Sequence, residues 1–271
     1  MQLEKDEILG LIAGGGQLPF MVADNARKKG HPVVAIAHRG DTDPALAEKV
    51  DKIAWINLGQ LGGLIKVLQK NNVHKALMAG TIAKRRMFSN IRPDLQGLTL
   101  MTKLAMFHDD GILRAVADEL EKKGIHIISA TSLMSELLAP SGCLTRRKPT
   151  KNEREDILVG WKVAKELGRL DIGQCVVIRG KTVVALEALE GTDETIIRGG
   201  RLAREKAVVV KVCKPNQDLR FDIPSVGLRT VEIMAQVKAS VLALEAGKTL
   251  IFNKPEMISF ADKAGISIFS Q

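Results

Sequence analysis

An apolar run closed by three consecutive glycines and then a proline sets the terms for the first half of this chain. Glu7–Ala13 (EILGLIA) reads as a strand and Gly14–Gly15–Gly16 as a tight turn. Pro19 stands in what would be the first turn of a helix, where a missing N–H costs nothing because that donor is unpaired anyway. The helix extends to Lys29 and stops at Gly30, and His31–Pro32 leads into a second strand, Val33–Ala37. Strand, glycine turn, helix and strand make a βαβ unit, the connection that parallel strands require. The alternation goes on with a strand at Ile53–Ile56, a helix at Gln60–Lys70 and a strand at Lys75–Ala79 that ends in Gly80–Thr81. Asp110–Lys123 carries Leu113, Val116, Ala117 and Leu120 at helical spacing, stops at Gly124 and precedes a strand over Ile125–Ser129. Residues 1–133 are therefore expected to form a Rossmann-like α/β domain.

The glycine turn admits several uses. Gly14 and Gly16 supply the first two glycines of a dinucleotide fingerprint, but Pro19 replaces the third. The second strand ends in His38–Arg39–Gly40–Asp41, with no acidic residue at its tip for a ribose diol, although Arg39 would suit a 2′-phosphate. An NADP-dependent reductase stays as an alternative on that partial match. The backbone N–H groups at this helix start would otherwise bind a phosphate or sugar hydroxyl of a substrate, or the glycines form a plain structural turn. Beyond Thr81, Lys84, Arg85, Arg86 and Arg92 offer either a solvated face or a lining for an anionic ligand, and Asp109–Asp110 fit a helix N-cap better than a metal site.

Near Met134 the chain changes character. Pro140–Ser141–Gly142 and the run Thr145–Arg146–Arg147–Lys148–Pro149–Thr150–Lys151 read as an exposed connection over 134–151. Residues 152–271 then give a second α/β domain with a mixed sheet. A helix at Asn152–Leu167 precedes a hairpin of Cys175–Ile178 and Thr182–Leu186 around Arg179–Gly180. Further on come a strand at Ala207–Val212, a helix at Gly227–Ala239, short strands at Ser240–Ala243 and Leu250–Phe252, a helix at Pro255–Ala264 and a last strand at Ser267–Phe269. Polar segments follow two of these strands: Glu187 with Glu190–Glu194, and Lys214–Asp218. A third segment, Arg220–Gly227, sets Asp222 between Phe221 and Ile223. Carboxylates, Lys, Asn and Gln just past strand ends are the materials of a site on a rigid scaffold.

The net charge of +9 favours anionic partners. Nucleic acid is disfavoured among them, since aromatics are 3% of the chain and Tyr is absent, which leaves little to stack bases. Cys143, Cys175 and Cys213 are odd in number and far apart, which argues for reduced thiols in a cytoplasm rather than a disulfide framework. No apolar run reaches the ~20 residues of a spanning helix, and the first residues lack the layout of a signal peptide. A soluble protein is expected, with room for contact at a membrane surface.

Five separated motifs occur in order: Leu11–Pro19 (LIAGGGQLP), Gly168–Gln174 (GRLDIGQ), Glu190–Asp193 (EGTD), Lys214–Gln217 (KPNQ) and Phe221–Gly227 (FDIPSVG). Together they resemble the UDP-2,3-diacylglucosamine pyrophosphatases of the LpxI type, over essentially the whole chain. The resemblance implies a cytoplasmic enzyme of lipid A synthesis, peripheral to the inner membrane. It would hydrolyse the diphosphate of UDP-2,3-diacylglucosamine to UMP and 2,3-diacylglucosamine 1-phosphate with magnesium or another divalent cation such as manganese. It also implies two domains that clasp the substrate, and a homodimer. The family's essential aspartate falls on Asp222. On this basis Asp222, Lys214 and Gln217 are expected to be catalytic, with Asp222 and Asp193 as metal ligands. Gly14, Gly15, Gly16, Gln17, Thr81 and Thr192 would bind substrate. The basic run within 142–151 is richer in charge than the resemblance leads one to expect, and it would suit anionic headgroups. A non-catalytic protein that binds an anionic lipid or nucleotide is the remaining alternative.

Overall fold

A computed structural model describes residues 3–82, 93–103 and 109–271. Lys84, Arg85, Arg86 and Arg92, and the side chains of Asp109 and Asp110, lie outside the described residues. The chain divides into two compact units, Met1–Ser135 with Asp218–Phe221, and Glu136–Gln217 with Asp222–Gln271.

In the first unit β1 (Leu9–Ala13), β2 (Val33–His38), β3 (Lys52–Ile56), β4 (Lys75–Ala79) and β5 (His126–Ile127) form one sheet in the order β3-β2-β1-β4-β5. Every pairing is parallel. Helices α1 (Leu18–Lys28), α2 (Leu61–Lys70), α3 (Leu95–Lys103) and α4 (Asp109–Glu121) lie in three of the crossovers, and a 3-10 helix, Pro44–Lys49, joins β2 to β3. Each residue of β1 and β2 is buried, as expected of central strands covered on both faces. On α2, Leu61, Leu64, Ile65 and Leu68 recur at one-face spacing and meet Ile12, Val34 and Ile36 of the sheet. Strand order reverses between β1 and β4, so the loops that leave these two strands flank the crevice where α/β sheets bind ligands. Asp218–Phe221 belongs here through Phe221, which packs against this core, and through Ser129, whose Oγ donates to Leu219 O at 2.7 Å.

The second unit has a six-stranded mixed sheet of β6 (Gly142–Cys143), β7 (Cys175–Arg179), β8 (Thr182–Leu186), β9 (Val208–Lys211), β11 (Val241–Leu244) and β13 (Ser267–Ser270). Its order is β6-β13-β11-β9-β7-β8, with β9, β11 and β13 parallel and the outer pairings antiparallel. A small pair, β10 (Ser225–Val226) with β12 (Leu250–Ile251), lies apart from it. Alternation along the strands sorts the core. Val208, Val210, Val241 and Ala243 face Ile157, Ala164 and Leu167 of α5 (Lys151–Arg169), whereas Val209, Leu242 and Leu244 face the opposite cluster. That second cluster includes Ile196, Met234 and Met257, from α6 (Gly191–Ala203), α7 (Leu228–Gln236) and α8 (Lys254–Ala264). The result is a three-layer α/β arrangement.

Two sequence expectations change. The stretch 134–151 is not a free connection, because β6 pairs with β13 and Thr145 is buried, accepting from the Ile268 amide at 3.0 Å. Arg147 pairs with Glu153 at 2.5 Å, and Thr150 with Glu153 closes a capping box that starts α5. The second change is α6, a helix that begins inside the polar segment Glu190–Glu194 and that the sequence pattern does not announce. Its interior Gly199 and Gly200 weaken the helical signal. They are there because a Cβ would come within 2.7 Å of Val177 Cβ at the first position and 2.2 Å of Val237 Cγ2 at the second.

Candidate active site

In the second unit the polar side chains gather where β9 and β11 end. Three residues beyond β9, the chain turns at Lys214–Gln217: the Lys214 backbone amide donates to Gln217 Oε1 at 2.9 Å and the Gln217 backbone amide returns to Lys214 O at 3.1 Å. Gln217 Nε2 then donates to Asp222 Oδ2 at 2.5 Å. Lys214 Nζ donates to Asp171 Oδ1 at 2.6 Å; Asp171 lies just past α5 in left-handed conformation (φ 56°), where Asp is one of the few non-glycine residues at home. Two side-chain pairs, Lys214 with Asp171 and Gln217 with Asp222, are thus joined through the Lys214 backbone amide, and Lys214, Gln217 and Asp222 are the residues the sequence nominates as catalytic.

Behind this row lies an ion pair without a sequence signature. Glu245, buried directly after β11, accepts from Lys165 Nζ at 2.6 Å and from the Cys213 amide at 2.9 Å, while Lys165 also donates to Cys213 O at 2.8 Å. Burial pushes the Glu245 carboxyl upward, but the hydrogen bonds from Lys165, Lys248 and the Cys213 amide outweigh it and hold the group below the ordinary carboxylate value. The Cys213 thiol is pushed up by its burial and by Glu245, so it stays protonated and unreactive. Lys165 and Glu245 are 80 positions apart in sequence, and only the fold brings them together.

Thr192 and Asp193 are differently engaged. Thr192 Oγ1 donates to Glu187 Oε1 at 2.7 Å, inside the first turn of α6, and Glu187 Oε2 accepts the Gln174 amide at 3.0 Å. Asp193 accepts from Arg229 Nε at 2.8 Å, on an exposed surface. The carboxylates of Asp193 and Asp222, paired in the sequence reading as metal ligands, therefore have separate partners.

In the first unit the Gly14–Gly16 turn and Thr81 meet across the switch point. Gly15 and Thr81 exchange backbone hydrogen bonds of 2.7 and 3.0 Å, and the Gly14 amide donates to Ala79 O at 2.8 Å. A side chain on Gly15 would bring its Cβ to 2.9 Å from Asp41 O, so close backbone packing already accounts for that glycine. Gly16 and Gln17 are exposed, and α1 begins without a side-chain cap. At the tip of β2, buried His38 places Nδ1 3.0 Å from Ala13 O, which also accepts from Thr42 Oγ1 at 2.6 Å. Burial holds this imidazole below its usual pKa, hence neutral, and the carbonyl contact puts its proton on Nδ1.

Among the described residues no group of three His, Cys, Asp or Glu side chains converges in the manner of an all-protein metal cage. Magnesium seldom needs one: it takes one or two carboxylates and fills its octahedron with substrate phosphates and water. Asp222, half-buried and with one oxygen bonded to Gln217, fits that sparse donor set; Asp193, the other expected ligand, has one oxygen bonded to Arg229.

Comparison with known families follows the two units. The model of the LpxI N-terminal domain matches residues 8–137, and that of the LpxI C-terminal domain matches residues 140–269. The chain belongs to the LpxI family. A curated member, UDP-2,3-diacylglucosamine pyrophosphatase LpxI of Caulobacter vibrioides, is 35% identical over an alignment that covers 96% of each chain. The motifs that carry the LpxI likeness in sequence include Asp171, Lys214, Gln217 and Asp222, the four residues hydrogen-bonded in series at the sheet edge. Solved structures overlap far less. N5-carboxyaminoimidazole synthetase from Staphylococcus aureus, complexed with ADP, shares 14% identity at a TM-score of 0.32 over 65% of this chain and 33% of its own. Pyruvate carboxylase from Rhizobium etli shares 14% at 0.28 over 64% and 15%. The chain spans a third or less of those two proteins, and so slight a likeness carries no argument about fold or function.

Proposed function

We propose that this protein hydrolyses the diphosphate of UDP-2,3-diacylglucosamine, releasing UMP and 2,3-diacylglucosamine 1-phosphate. The observation that carries the proposal is the 35% identity over 96% of both chains to a curated pyrophosphatase of that name, together with the hydrogen-bonded residues Asp171, Lys214, Gln217 and Asp222.

Cleaving a phosphoanhydride asks little covalent work of a protein; charge must be neutralised and a water held in line. Gln217, fixed by the Lys214 amide at one end, orients the Asp222 carboxylate with the other and leaves Oδ1 for a cation or the attacking water. Lys214 brings a positive charge that can pass from Asp171 to a phosphoryl oxygen once substrate arrives. Magnesium or manganese, when bound by Asp222, would neutralise the diphosphate further. The Gly14–Gln17 turn and Thr81 stand beside a ligand crevice of the first unit and are proposed to contact the substrate there.

The two acyl chains keep such a substrate in a membrane, and no helix among the described residues is long and apolar enough to cross one. Reversible contact with the inner leaflet of the inner membrane from the cytoplasmic side is the proposed route to it, and a homodimer the proposed assembly. The exposed basic residues Arg146, Lys148 and Lys151 are candidates for that contact. They lie at the amino edge of the parallel strands, since Arg147 donates to Ser240 O just ahead of β11, whereas Lys214 and Asp222 lie at the carboxyl edge.

The deciding assay is release of UMP from UDP-2,3-diacylglucosamine with magnesium and with a chelator. Turnover that depends on the cation is expected. Binding without UMP release would identify a carrier instead, and a thermal shift with NADPH but none with the UDP-sugar would favour the reductase.

A further inference from the structure

We infer that Lys165 and Glu245 form a clamp that positions the turn Lys214–Gln217 for reaction; this rests on the function proposed above. The chain leaves the sheet at the end of β9, where Val212 still makes a strand-like bond to Gln174 O at 3.0 Å. Cys213, next in line, has no strand partner for either backbone group. Both groups are satisfied by the ion pair instead, the N–H by Glu245 Oε2 at 2.9 Å and the C=O by Lys165 Nζ at 2.8 Å. The two side chains are joined to each other at 2.6 Å, so carboxylate, ammonium and peptide close a ring. The clamp's two anchors stand on separate elements packed into the core, the last turns of α5 and the end of β11. Lys214 follows the residue held in this ring directly, its amide fixes Gln217, and Gln217 Nε2 in turn holds Asp222.

A buried ion pair is weak evidence for a contribution to stability, since desolvation offsets most of the attraction. Its geometry is another matter, because a displacement of about 1 Å at a site can cost about 100-fold in rate. Lys165 and Glu245 touch the backbone rather than the linked site side chains, so they are positioning residues. Their loss is expected to lower kcat and leave KM almost alone.

The test uses the full chain. Glu245→Ala removes both the acceptor and the charge, Glu245→Gln keeps an acceptor for the Cys213 amide, and Lys165→Met frees Cys213 O. With the UDP-sugar substrate and magnesium, Glu245→Ala is expected to lose about 10- to 100-fold in kcat with KM within about threefold. Glu245→Gln should recover much of that loss. Amide hydrogen exchange at Cys213 and Lys214 should speed up in Glu245→Ala and stay close to wild type in Glu245→Gln. A folded Glu245→Ala with wild-type kcat, a loss confined to KM, or unchanged exchange at Cys213 would overturn the clamp. Should Glu245→Ala fail to fold, a folded Lys165→Met with wild-type kcat would overturn it equally. If the wild-type chain releases no UMP, the function fails while the exchange data still decide the clamp.

Discussion

Gln217 Nε2 and Asp222 Oδ2 lie 2.5 Å apart, and their bond spans the base of the excursion Asp218–Phe221, the four residues that belong to the other compact unit. The residue proposed as the centre of the reaction is therefore fixed by a neutral amide donor, which holds the carboxylate in place without cancelling its charge.

Asp222→Ala should remain folded, because the side chain is half-buried and bonds only at the site edge. UMP release is expected to fall by roughly 100- to 1,000-fold or more while substrate binding persists. Asp222→Asn can still accept from Gln217 but carries no charge. A similarly deep loss in Asn would assign the effect to charge, and near-wild-type turnover in either variant would take Asp222 out of the mechanism.

Gly15→Val tests the turn. From sequence alone such a change should raise KM without unfolding the protein. The 2.9 Å approach of a Cβ to Asp41 O changes that expectation: the backbone at the switch point must shift, so the melting temperature should fall as well. A Gly15→Val protein that melts like wild type would show that the loop moves aside freely.

Glu245 links stability to acid. Its folded-state pKa lies below the ordinary 4.5, so it contributes stability above about pH 4.5, and that contribution is lost as pH falls through the folded value. Glu245→Gln lacks this term. The melting-temperature gap between wild type and Glu245→Gln is expected to be widest near neutrality and to narrow below pH 4.5; a gap that widens on acidification would reverse the assigned shift.

Vesicle co-sedimentation tests lipid contact. Arg147 is committed to Glu153, so the informative variant is Arg146→Ala with Lys148→Ala and Lys151→Ala. Basic residues near an anionic surface contribute roughly 1 kcal/mol each. Salt-sensitive binding to anionic vesicles, weaker in the triple variant, is expected. Equal binding to neutral vesicles would mean that this run is only solvated and that lipid is met elsewhere.

Local chemistry made much of this protein legible in its sequence. The glycine turn with Pro19 and the alternation of period-2 and period-3.6 patterns determined a parallel first sheet, because a βαβ connection leaves few other topologies. The ordered motifs pointed to Lys214, Gln217 and Asp222. Tertiary structure decided what depends on distant partners. Gly199 and Gly200 look like helix breakers until Val177 and Val237 are seen against them. The basic stretch at 145–151 looks like a solvated connection until Thr145 meets Ile268 and Arg147 meets Glu153. Asp193 reads as a metal ligand in sequence, and its bond to Arg229, 36 residues away, has no local signal. Lys165 and Glu245 carry no pattern at all. A hydrogen bond depends on positions in space, and for pairs this far apart those positions are set only when the sheet and helices have packed.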